Sequence, residues 1–189
     1  MLKLTELTSN FRTTLMITAY TRWVKKGETA LDIGCGTGVA GKNLMDRLDL
    51  KVTGCDVKNY LVCKIPFLKI QGNKLPVADK SYDIAFLNDV LHHVNQTTQI
   101  SILKEALRVA KKVLIFEAEP TFIGKLTDIL LNKYHYGDLN TPLTFRSLGN
   151  WKKLFKKLSL KSNSIKLKRP LWYPFSHIAF IITKDNYKN

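Results

Sequence analysis

The sequence contains little cysteine, little acidic charge and no long apolar run, and each shortage excludes a class of protein. Its three cysteines include no CxxC pair, so neither a disulfide framework nor a cysteine-based metal site is expected. No apolar run approaches the ~20 residues that cross a bilayer, and Met1 to Asn10 lacks the apolar stretch of a signal peptide. These features predict a cytoplasmic protein rather than a membrane-spanning or secreted one.

Basic residues are in excess, and they are unevenly distributed. The 189 residues include 30 Lys and Arg against 15 Asp and Glu, which gives a net charge of +15. Residues 121–189 hold 13 of the basic and 3 of the acidic side chains, a net of +10. A basic end of this kind attracts phosphate, on RNA or on a membrane surface. Lysines on a solvated exterior give the same count, so RNA contact and peripheral membrane contact both stay open.

The apolar pattern predicts strands that alternate with helices over most of the chain. An apolar fraction of 45% and a charged fraction of 24% are ordinary for a globular protein. The predicted strands are Thr29–Ile33, Lys51–Cys55, Phe67–Ile70, Tyr82–Leu87, Val113–Phe116, Leu160–Leu167 and His177–Thr183. The predicted helices are about Thr8–Lys26, Val39–Leu48, Gln96–Ala110 and Ser147–Leu158. This order indicates an α/β fold with a mostly parallel seven-stranded sheet and an antiparallel C-terminal strand pair.

A glycine-rich loop joins the first strand to the next helix, with the sequence Asp32-Ile33-Gly34-Cys35-Gly36-Thr37-Gly38. Alternate glycines let the backbone turn tightly and let a ligand approach it closely, and the following helix directs N–H groups at that ligand. The Asp32 carboxylate suits a cationic group such as an ammonium or a sulfonium. Asp56 ends the second strand, where an acidic side chain typically accepts hydrogen bonds from ribose hydroxyls. The pattern therefore predicts a nucleoside-containing cofactor.

Two other interpretations of the loop remain open. Residues 36–41 match the GxGxxG pattern of dinucleotide-binding proteins, and Asp56 would serve a nicotinamide cofactor equally well. A purely structural turn would also use glycines. The loop by itself does not separate a nicotinamide cofactor from S-adenosylmethionine.

Residues 71–94 add a second set of motifs. They include Gln71-Gly72-Asn73, Leu75-Pro76-Val77, Ser81-Tyr82-Asp83 and Leu91-His92-His93-Val94. Together with the loop, this stretch resembles the class I S-adenosylmethionine-dependent methyltransferases, in their small-molecule-type branch. The resemblance covers most of residues 25–118, with a weaker fit through 184. It implies a Rossmann-like three-layer sandwich formed by one domain over 1–189, with an N-terminal helix (1–26), a cofactor-binding core (27–118) and an acceptor-side region with the terminal strand pair (119–189).

The resemblance also implies a binding role for individual residues toward S-adenosylmethionine. Gly34, Gly36 and Gly38 would pack against its amino-acid part, with Asp32 near the ammonium group. Cys35 and Thr37 of the same loop are the further candidate cofactor-binding residues. Asp56 would bind the ribose and Val57 would lie against the adenine. The adenine edge would meet Gln71, Gly72 and Asn73, and the methionine part would meet Asn88. The family often has Asp where this chain has Gln71, whose amide oxygen accepts more weakly than a carboxylate.

The implied reaction is methyl transfer by direct in-line displacement to a small or lipid-like acceptor. Alignment of donor and acceptor supplies most of the catalysis, and only an acceptor that loses a proton, such as a phenol, needs a base. His93, near the pocket mouth, is the candidate catalytic base, whereas His92 is expected to point elsewhere, and His135 and Tyr136 to serve structure. No metal site is expected. The alternatives are an RNA methyltransferase, a nicotinamide-dependent oxidoreductase and a non-catalytic cofactor-binding protein.

Two further segments carry apolar side chains whose partner the sequence leaves open. The helix predicted over Ser147–Leu158 has one apolar and one lysine-rich face, a pattern that fits packing on the sheet or contact with a membrane surface. The aromatic segment Arg169–Phe175 would line an acceptor pocket, cover the core or stack against bases.

Overall fold

The structure is a computed structural model that describes residues 2–71, 74–136 and 142–184. Its helices are α1 (Leu2–Tyr20), α2 (Val39–Leu48), α3 (Gln96–Val109), α4 (Phe122–Tyr136) and α5 (Leu148–Lys157), with a short 3₁₀ turn at Leu91–His93. Its strands are β1 (Thr29–Ile33), β2 (Lys51–Asp56), β3 (Phe67–Lys69), β4 (Tyr82–Asn88), β5 (Ala110–Ala118), β6 (Leu160–Lys166) and β7 (His177–Lys184).

The strands form one seven-stranded sheet in the order β3-β2-β1-β4-β5-β7-β6. Neighbours from β3 to β5 pair in parallel. Strand β7 pairs antiparallel with β5 on one side and with β6 on the other. The predicted α/β sandwich with its antiparallel C-terminal strand pair is therefore confirmed. The parallel strands need crossover helices between them, whereas β6 and β7 follow each other without one.

The sheet is buried on both faces, which gives the molecule three layers. Strand β5 illustrates the alternation: Val113 and Ile115 belong to one apolar cluster, and Leu114 and Phe116 to the other. Helices α3 and α5 contribute to the first cluster, and α1 and α2 to the second. The apolar residues of α5 are buried, so the docking interpretation of this helix is wrong and packing on the sheet is the correct one.

Two helices differ from the prediction. Helix α1 ends at Tyr20 rather than near Lys26, because the chain tightens into a turn in which the Trp23 N–H donates to the Tyr20 carbonyl at 2.8 Å. Helix α4 was not predicted at all. Its outward face is apolar, so its sequence lacks the usual contrast between a core face and a polar face. Within the described ranges, no helix combines the length and the apolar character that crossing a bilayer requires.

The topology gathers polar residues at one edge of the sheet. The carboxyl ends of parallel strands meet at the same edge, and β1, β2, β4 and β5 end there. Asp32, Asp56 and Asn88 lie at or near the last positions of three of these strands, and Glu117 lies near the end of the fourth. Asp32, Asp56 and Asn88 line the site described below, and Glu117 contacts His92, which also lines it.

Burial of the α5 face is tested by Phe155→Ala. Phe155 is fully buried and packs edge-on against Phe180 of β7, with ring centroids 5.3 Å apart. Removing a buried phenyl ring leaves a cavity, so we expect a loss of about 3–5 kcal/mol in the free energy of unfolding. Urea denaturation measures the change, and Lys156→Ala, the exposed neighbour, is expected to stay within about 0.5 kcal/mol of wild type. Equal effects of the two substitutions would contradict the packing of α5.

Candidate active site

The glycine loop adopts left-handed backbone at three positions. The φ angles of Gly34, Gly36 and Gly38 are 73°, 50° and 77°, a region that residues with a Cβ rarely adopt. A Cβ at Gly34 would lie 2.1 Å from the Val90 side chain, and one at Gly38 would lie 2.5 Å from Leu61. Close packing within the protein is therefore a second reason for glycine at both ends of the loop.

The loop opens into a cavity of about 890 Å³ at the carboxyl edge of the sheet. Nine of the predicted site residues line this cavity: Asp32, Gly34, Cys35, Gly36, Thr37, Asp56, Val57, Asn88 and His93. Gly38 does not line it, and a Cβ built at Gly38 would meet Leu61 and Cys63. The exposed Gln71 forms an isolated antiparallel β-bridge with Lys74. Gly72 and Asn73 lie outside the described residues, as do the side chains of His135 and Tyr136.

Asp32 is buried on the floor of the cavity. Its Oδ1 accepts a hydrogen bond from Asn88 at 3.1 Å, and the Asn88 oxygen accepts one from the Tyr20 hydroxyl at 2.8 Å. Its Oδ2 has no hydrogen-bond partner among the described residues. Burial raises the pKa of Asp32 to about 7, although the hydrogen bond from Asn88 favours the charged form. A cation bound near this carboxyl group would favour its charged form.

Asp56 connects the end of β2 to the glycine loop. Its Oδ2 accepts from the Gly36 N–H at 2.9 Å, and its Oδ1 accepts from the Val57 N–H at 2.7 Å. A carboxylate has about four acceptor positions, so Asp56 keeps capacity for hydroxyl donors in the cavity. Cys35, next to Gly36, is inert as a nucleophile because burial raises the pKa of its thiol to about 12.

The opposite side of the cavity holds a buried histidine between carboxylates. His92 Nδ1 lies 2.6 Å from Glu117 Oε2, and His92 Nε2 lies 3.6 Å from Asp128 Oδ1. Burial opposes the charged form of His92, but the Glu117 charge and the contacts with both carboxylates raise its pKa to about 10. The other Glu117 oxygen accepts from the N–H groups of Val90 and Leu91, so Glu117 also holds the start of the 3₁₀ turn.

His93 lies beside His92, with ring centroids 4.0 Å apart, and its pKa shifts in the opposite direction. Burial and the positive charge on His92 lower the pKa of His93 to about 4, so its imidazole is neutral at pH 7. Its Nδ1 lies 3.9 Å from Asp128 Oδ2. The prediction that His92 and His93 point apart is wrong: both line the cavity, because they lie in a 3₁₀ turn that faces Asp128 of α4.

Asp89 follows β4 in a strained conformation with a φ of 53°. Its side chain lies 3.3 Å from both Arg12 of α1 and His177 of β7. Burial opposes ionisation of Asp89, but His177 and Arg12 outweigh it and hold the pKa of the carboxyl well below its usual range. The charged Asp89 carboxylate is thus fixed in the lining of the cavity, beside Arg12 and His177.

Sequence reasoning missed most of the acceptor side. Asp89, Glu117, Asp128 and Leu131 were not predicted. Tyr173 and Phe175 do line the cavity, as one of the interpretations of the aromatic segment Arg169–Phe175 predicted. The position of Asp89 directly after a strand, and of Glu117 near the end of another, was a signal that could have found those two. Asp128 lies on the helix that the apolar pattern did not reveal.

Comparison with known proteins identifies this arrangement. Residues 31–116, which contain the loop, Asp56 and both histidines, match the family model described as a methyltransferase domain. Over these residues, the chain is similar to S-adenosylmethionine-dependent methyltransferases. S-adenosylmethionine is therefore the cofactor that the comparisons support, as the sequence predicted.

Curated relatives match only part of the chain. An O-methyltransferase of Aspergillus nomiae is 26% identical over 104 residues, 48% of this chain and 46% of that protein. The ribosomal protein L11 methyltransferase of Campylobacter concisus is 29% identical over 105 residues, 49% of this chain and 38% of that protein. A botryococcene C-methyltransferase of Botryococcus braunii is 30% identical over 101 residues, 47% and 26% of the two chains. The chain thus spans less than half the length of these relatives.

Solved structures share the fold of this chain at low identity. A SAM-dependent methyltransferase of Archaeoglobus fulgidus superposes with a TM-score of 0.67 at 15% identity, covering 94% of each chain. One of Methanosarcina mazei superposes with a TM-score of 0.62 at 18% identity, covering 86% of this chain and 95% of that one. These matches support the sheet order and layer arrangement, and nothing beyond the fold is taken from them.

The donor atoms around His92 are close enough to surround an ion. One ligand atom from each of His92, His93 and Asp128 lies within 4.8 Å of the others, and the same holds for Asp89, His92 and Glu117. A proton on His92 already balances charge in both groups, because its raised pKa keeps the imidazole positive between Glu117 and Asp128. We therefore treat the cluster as a proton-holding network.

The charge on His92 generates a pH prediction. The folded pKa of about 10 lies above the ordinary histidine value of about 6.5. The contribution of His92 to the free energy of unfolding is therefore complete below about pH 6.5. It is lost as the pH rises toward 10, at about 1.4 kcal/mol per pH unit. Urea denaturation of wild type and His92→Gln between neutral and mildly alkaline pH measures it, and the variant's curve is expected to lack that slope. Glu117→Gln, which removes the facing carboxylate, should flatten the curve as well; parallel curves for all three proteins would exclude the proton-holding network.

Proposed function

We propose that this chain transfers the methyl group of S-adenosylmethionine to a hydroxyl of a small or lipid-like acceptor. The observation that carries the proposal is the division of one cavity into two chemically different halves. One half has the glycine loop, Asp32 and Asp56. The other has a neutral imidazole, a carboxylate beside it and an apolar wall. The O-methyltransferase relative from Aspergillus nomiae supports a small acceptor.

The first half fits the cofactor. The carboxyl group of Asp32, whose Oδ2 has no hydrogen-bond partner among the described residues, suits a nearby ammonium or sulfonium, and the Asp56 carboxylate suits ribose hydroxyls. Gly34 and Gly36 leave the backbone of the loop accessible from the cavity, and Val57, 63% exposed, offers an apolar contact for the adenine. The predicted contacts of Gln71, Gly72 and Asn73 with the adenine edge stay predictions.

The second half fits an acceptor that loses a proton. The cofactor, when bound, would supply an electrophilic methyl group. As the acceptor oxygen forms its bond to the methyl carbon, the sulfur–carbon bond would break, S-adenosylhomocysteine would leave, and the hydroxyl proton would pass to a base. His93 is neutral at pH 7, lines the cavity and has the Asp128 carboxylate beside it, which makes it the base we assign. Leu131, Tyr173 and Phe175 form an apolar wall that suits an aromatic or lipid-like body.

The remaining parts of the proposal concern organisation and location. We propose one domain over 1–189, which the continuous sheet supports because its strands come from both the core (27–118) and the terminal region (119–189). A cytoplasmic location is supported by Cys35, Cys55 and Cys63, which are all unpaired thiols. An RNA acceptor has the excess of basic residues in its favour, and the labelling experiment below distinguishes it.

Cofactor binding is tested by Asp56→Ala. Hydrogen bonds to a charged group contribute about 1.5–3 kcal/mol, so we expect binding of S-adenosylmethionine and of its demethylated product to weaken by about tenfold or more. Isothermal titration calorimetry measures both ligands, and NAD is expected to bind more weakly than either. Asp46→Ala, an exposed carboxylate on α2 that pairs with Lys42, is the matched control and should bind as wild type.

Gly36→Val provides a second variant for the same site. Gly36 lines the cavity with a φ of 50°, so a branched side chain there would strain the backbone and occupy cofactor space. Loss of binding with an unchanged circular dichroism spectrum is the expected result. Tighter binding of NAD than of S-adenosylmethionine, or undiminished affinity in both variants, would contradict the cofactor assignment.

The acceptor class is tested with methyl-labelled S-adenosylmethionine and a cell extract. We expect label in the solvent-extractable fraction. His93→Ala is expected to lower the labelling rate by about 10²–10⁴-fold while leaving product affinity in calorimetry unchanged. Label in a nuclease-sensitive polymer would replace the small acceptor with RNA. Full labelling by His93→Ala would remove the base from the mechanism and favour an acceptor that needs none.

A further inference from the structure

Helix α4 presents an unusual surface to solvent. Five large apolar side chains on it are exposed, by 37% to 84%: Phe122, Ile123, Leu126, Ile129 and Leu130. At 3.6 residues per turn these positions share an arc of about 120° on one side of the helix. Solvated helices of globular proteins normally carry polar residues on that side. An exposed apolar face of this size indicates a surface that contacts another apolar phase.

The inner face of the same helix belongs to the cavity. Asp128 and Leu131 line the acceptor side, and Gly124 is buried at the start of the helix. A Cβ at Gly124 would lie 3.6 Å from the ring of Phe175, so α4 packs closely on the segment before β7. Helix α4 therefore separates the acceptor half of the cavity from the exterior, and its apolar outer face lies at that boundary.

A second exposed apolar segment borders the same cavity. Leu171 is fully exposed at 101% and Trp172 is exposed by 51%, while the next residue, Tyr173, is buried and lines the cavity. An exposed tryptophan beside a fully exposed leucine is typical of side chains that enter the interfacial region of a bilayer. We call α4 and residues 171–172 together the apolar rim.

The charges around the apolar rim are almost all positive. Lys125 and Lys133 lie on α4, and Lys168 and Arg169 precede Leu171, all four of them exposed. The one acidic residue of α4, Asp128, faces the cavity, and residues 165–177 contain no acidic residue. Apolar side chains flanked by lysine and arginine complement a surface that is apolar inside and negative at its headgroups.

We propose that the apolar rim docks this protein on the surface of an anionic phospholipid bilayer, with the acceptor side of the cavity next to the lipid. Neither a second copy of this chain, which carries the same positive charge, nor RNA, which lacks an apolar interior, complements the rim as well. Docking is independent of the proposed reaction, because it requires neither cofactor nor turnover. It would let a lipid-like acceptor enter the cavity directly from the bilayer.

The first test is co-sedimentation of the full chain with vesicles of phosphatidylcholine, with or without phosphatidylglycerol. We expect wild type to bind the anionic vesicles, and the triple variant Leu126→Ser, Leu130→Ser, Leu171→Ser to bind about tenfold or more weakly. Val62→Ser, an apolar residue exposed by 73% outside the rim, is the matched control and should bind as wild type. Circular dichroism checks that each variant is folded.

A charge-matched pair separates docking by the rim from general attraction of a basic protein. Two double variants change the net charge equally: Lys125→Glu with Lys133→Glu on α4, and Lys153→Glu with Lys157→Glu on α5. We expect the α4 pair to weaken binding to anionic vesicles by about tenfold and the α5 pair to have a smaller effect. Equal effects of the two pairs would overturn the proposal.

Fluorescence of the wild-type protein provides a readout that needs no rim substitution. Trp172 is half exposed, whereas Trp151 is buried, so a blue shift on addition of anionic vesicles is expected and should disappear in Trp172→Phe. Absence of wild-type binding to anionic vesicles would overturn the proposal. A dimer in analytical ultracentrifugation that the triple variant abolishes would also overturn it, because a second copy would then occupy the rim.

Discussion

Buried carboxyl groups at the carboxyl edge of the sheet constrain the rest of the structure. Asp32 and Glu117 are almost fully buried at the ends of β1 and β5, and a buried charge without partners costs several kcal/mol. Their partners come from other elements: Tyr20 of α1 reaches Asp32 through Asn88, and His92 of the 3₁₀ turn meets Glu117. Satisfying these carboxyl groups therefore fixes α1 and the turn around the cavity, and it gives the cavity its shape.

The same constraint separates the cavity into halves of different charge. Two carboxylates hold a proton on His92, and that positive charge, together with burial, keeps His93 neutral. Asp32 is left with one oxygen that has no hydrogen-bond partner among the described residues, and burial raises its pKa, which a nearby cation would lower. The buried carboxyl groups and histidines thus provide both a site for a positively charged donor and a neutral base. Neither feature requires a buried charge without a partner.

What the sequence predicted was local, and what it missed depends on long-range contacts. The strands and the loop at 32–38 follow from short periodic patterns, and the family motifs located Asp56 and His93 within the cavity. The glycine pattern does not distinguish a glycine that contacts a ligand from one that contacts a side chain of the protein. At Gly34 and Gly38 the close neighbours are the side chains of Val90 and Leu61. The contacts of Glu117 with His92, across 25 residues, and of Asp128 with both histidines depend on how β5 and α4 fold back over the turn.

Helices α4 and α5 show why composition alone cannot assign an amphipathic helix to a partner. Both combine large apolar residues with lysines, and the sequence of α5, with its two distinct faces, fitted either packing on the sheet or contact with a membrane surface. In the structure, Trp151 and Phe155 of α5 are buried, whereas Phe122 and Leu126 of α4 are exposed. The difference lies in what each helix covers: α5 covers an apolar sheet face and can satisfy its apolar side there. Helix α4 covers a cavity whose wall needs Asp128, so its polar side turns inward and its apolar side is left facing outward.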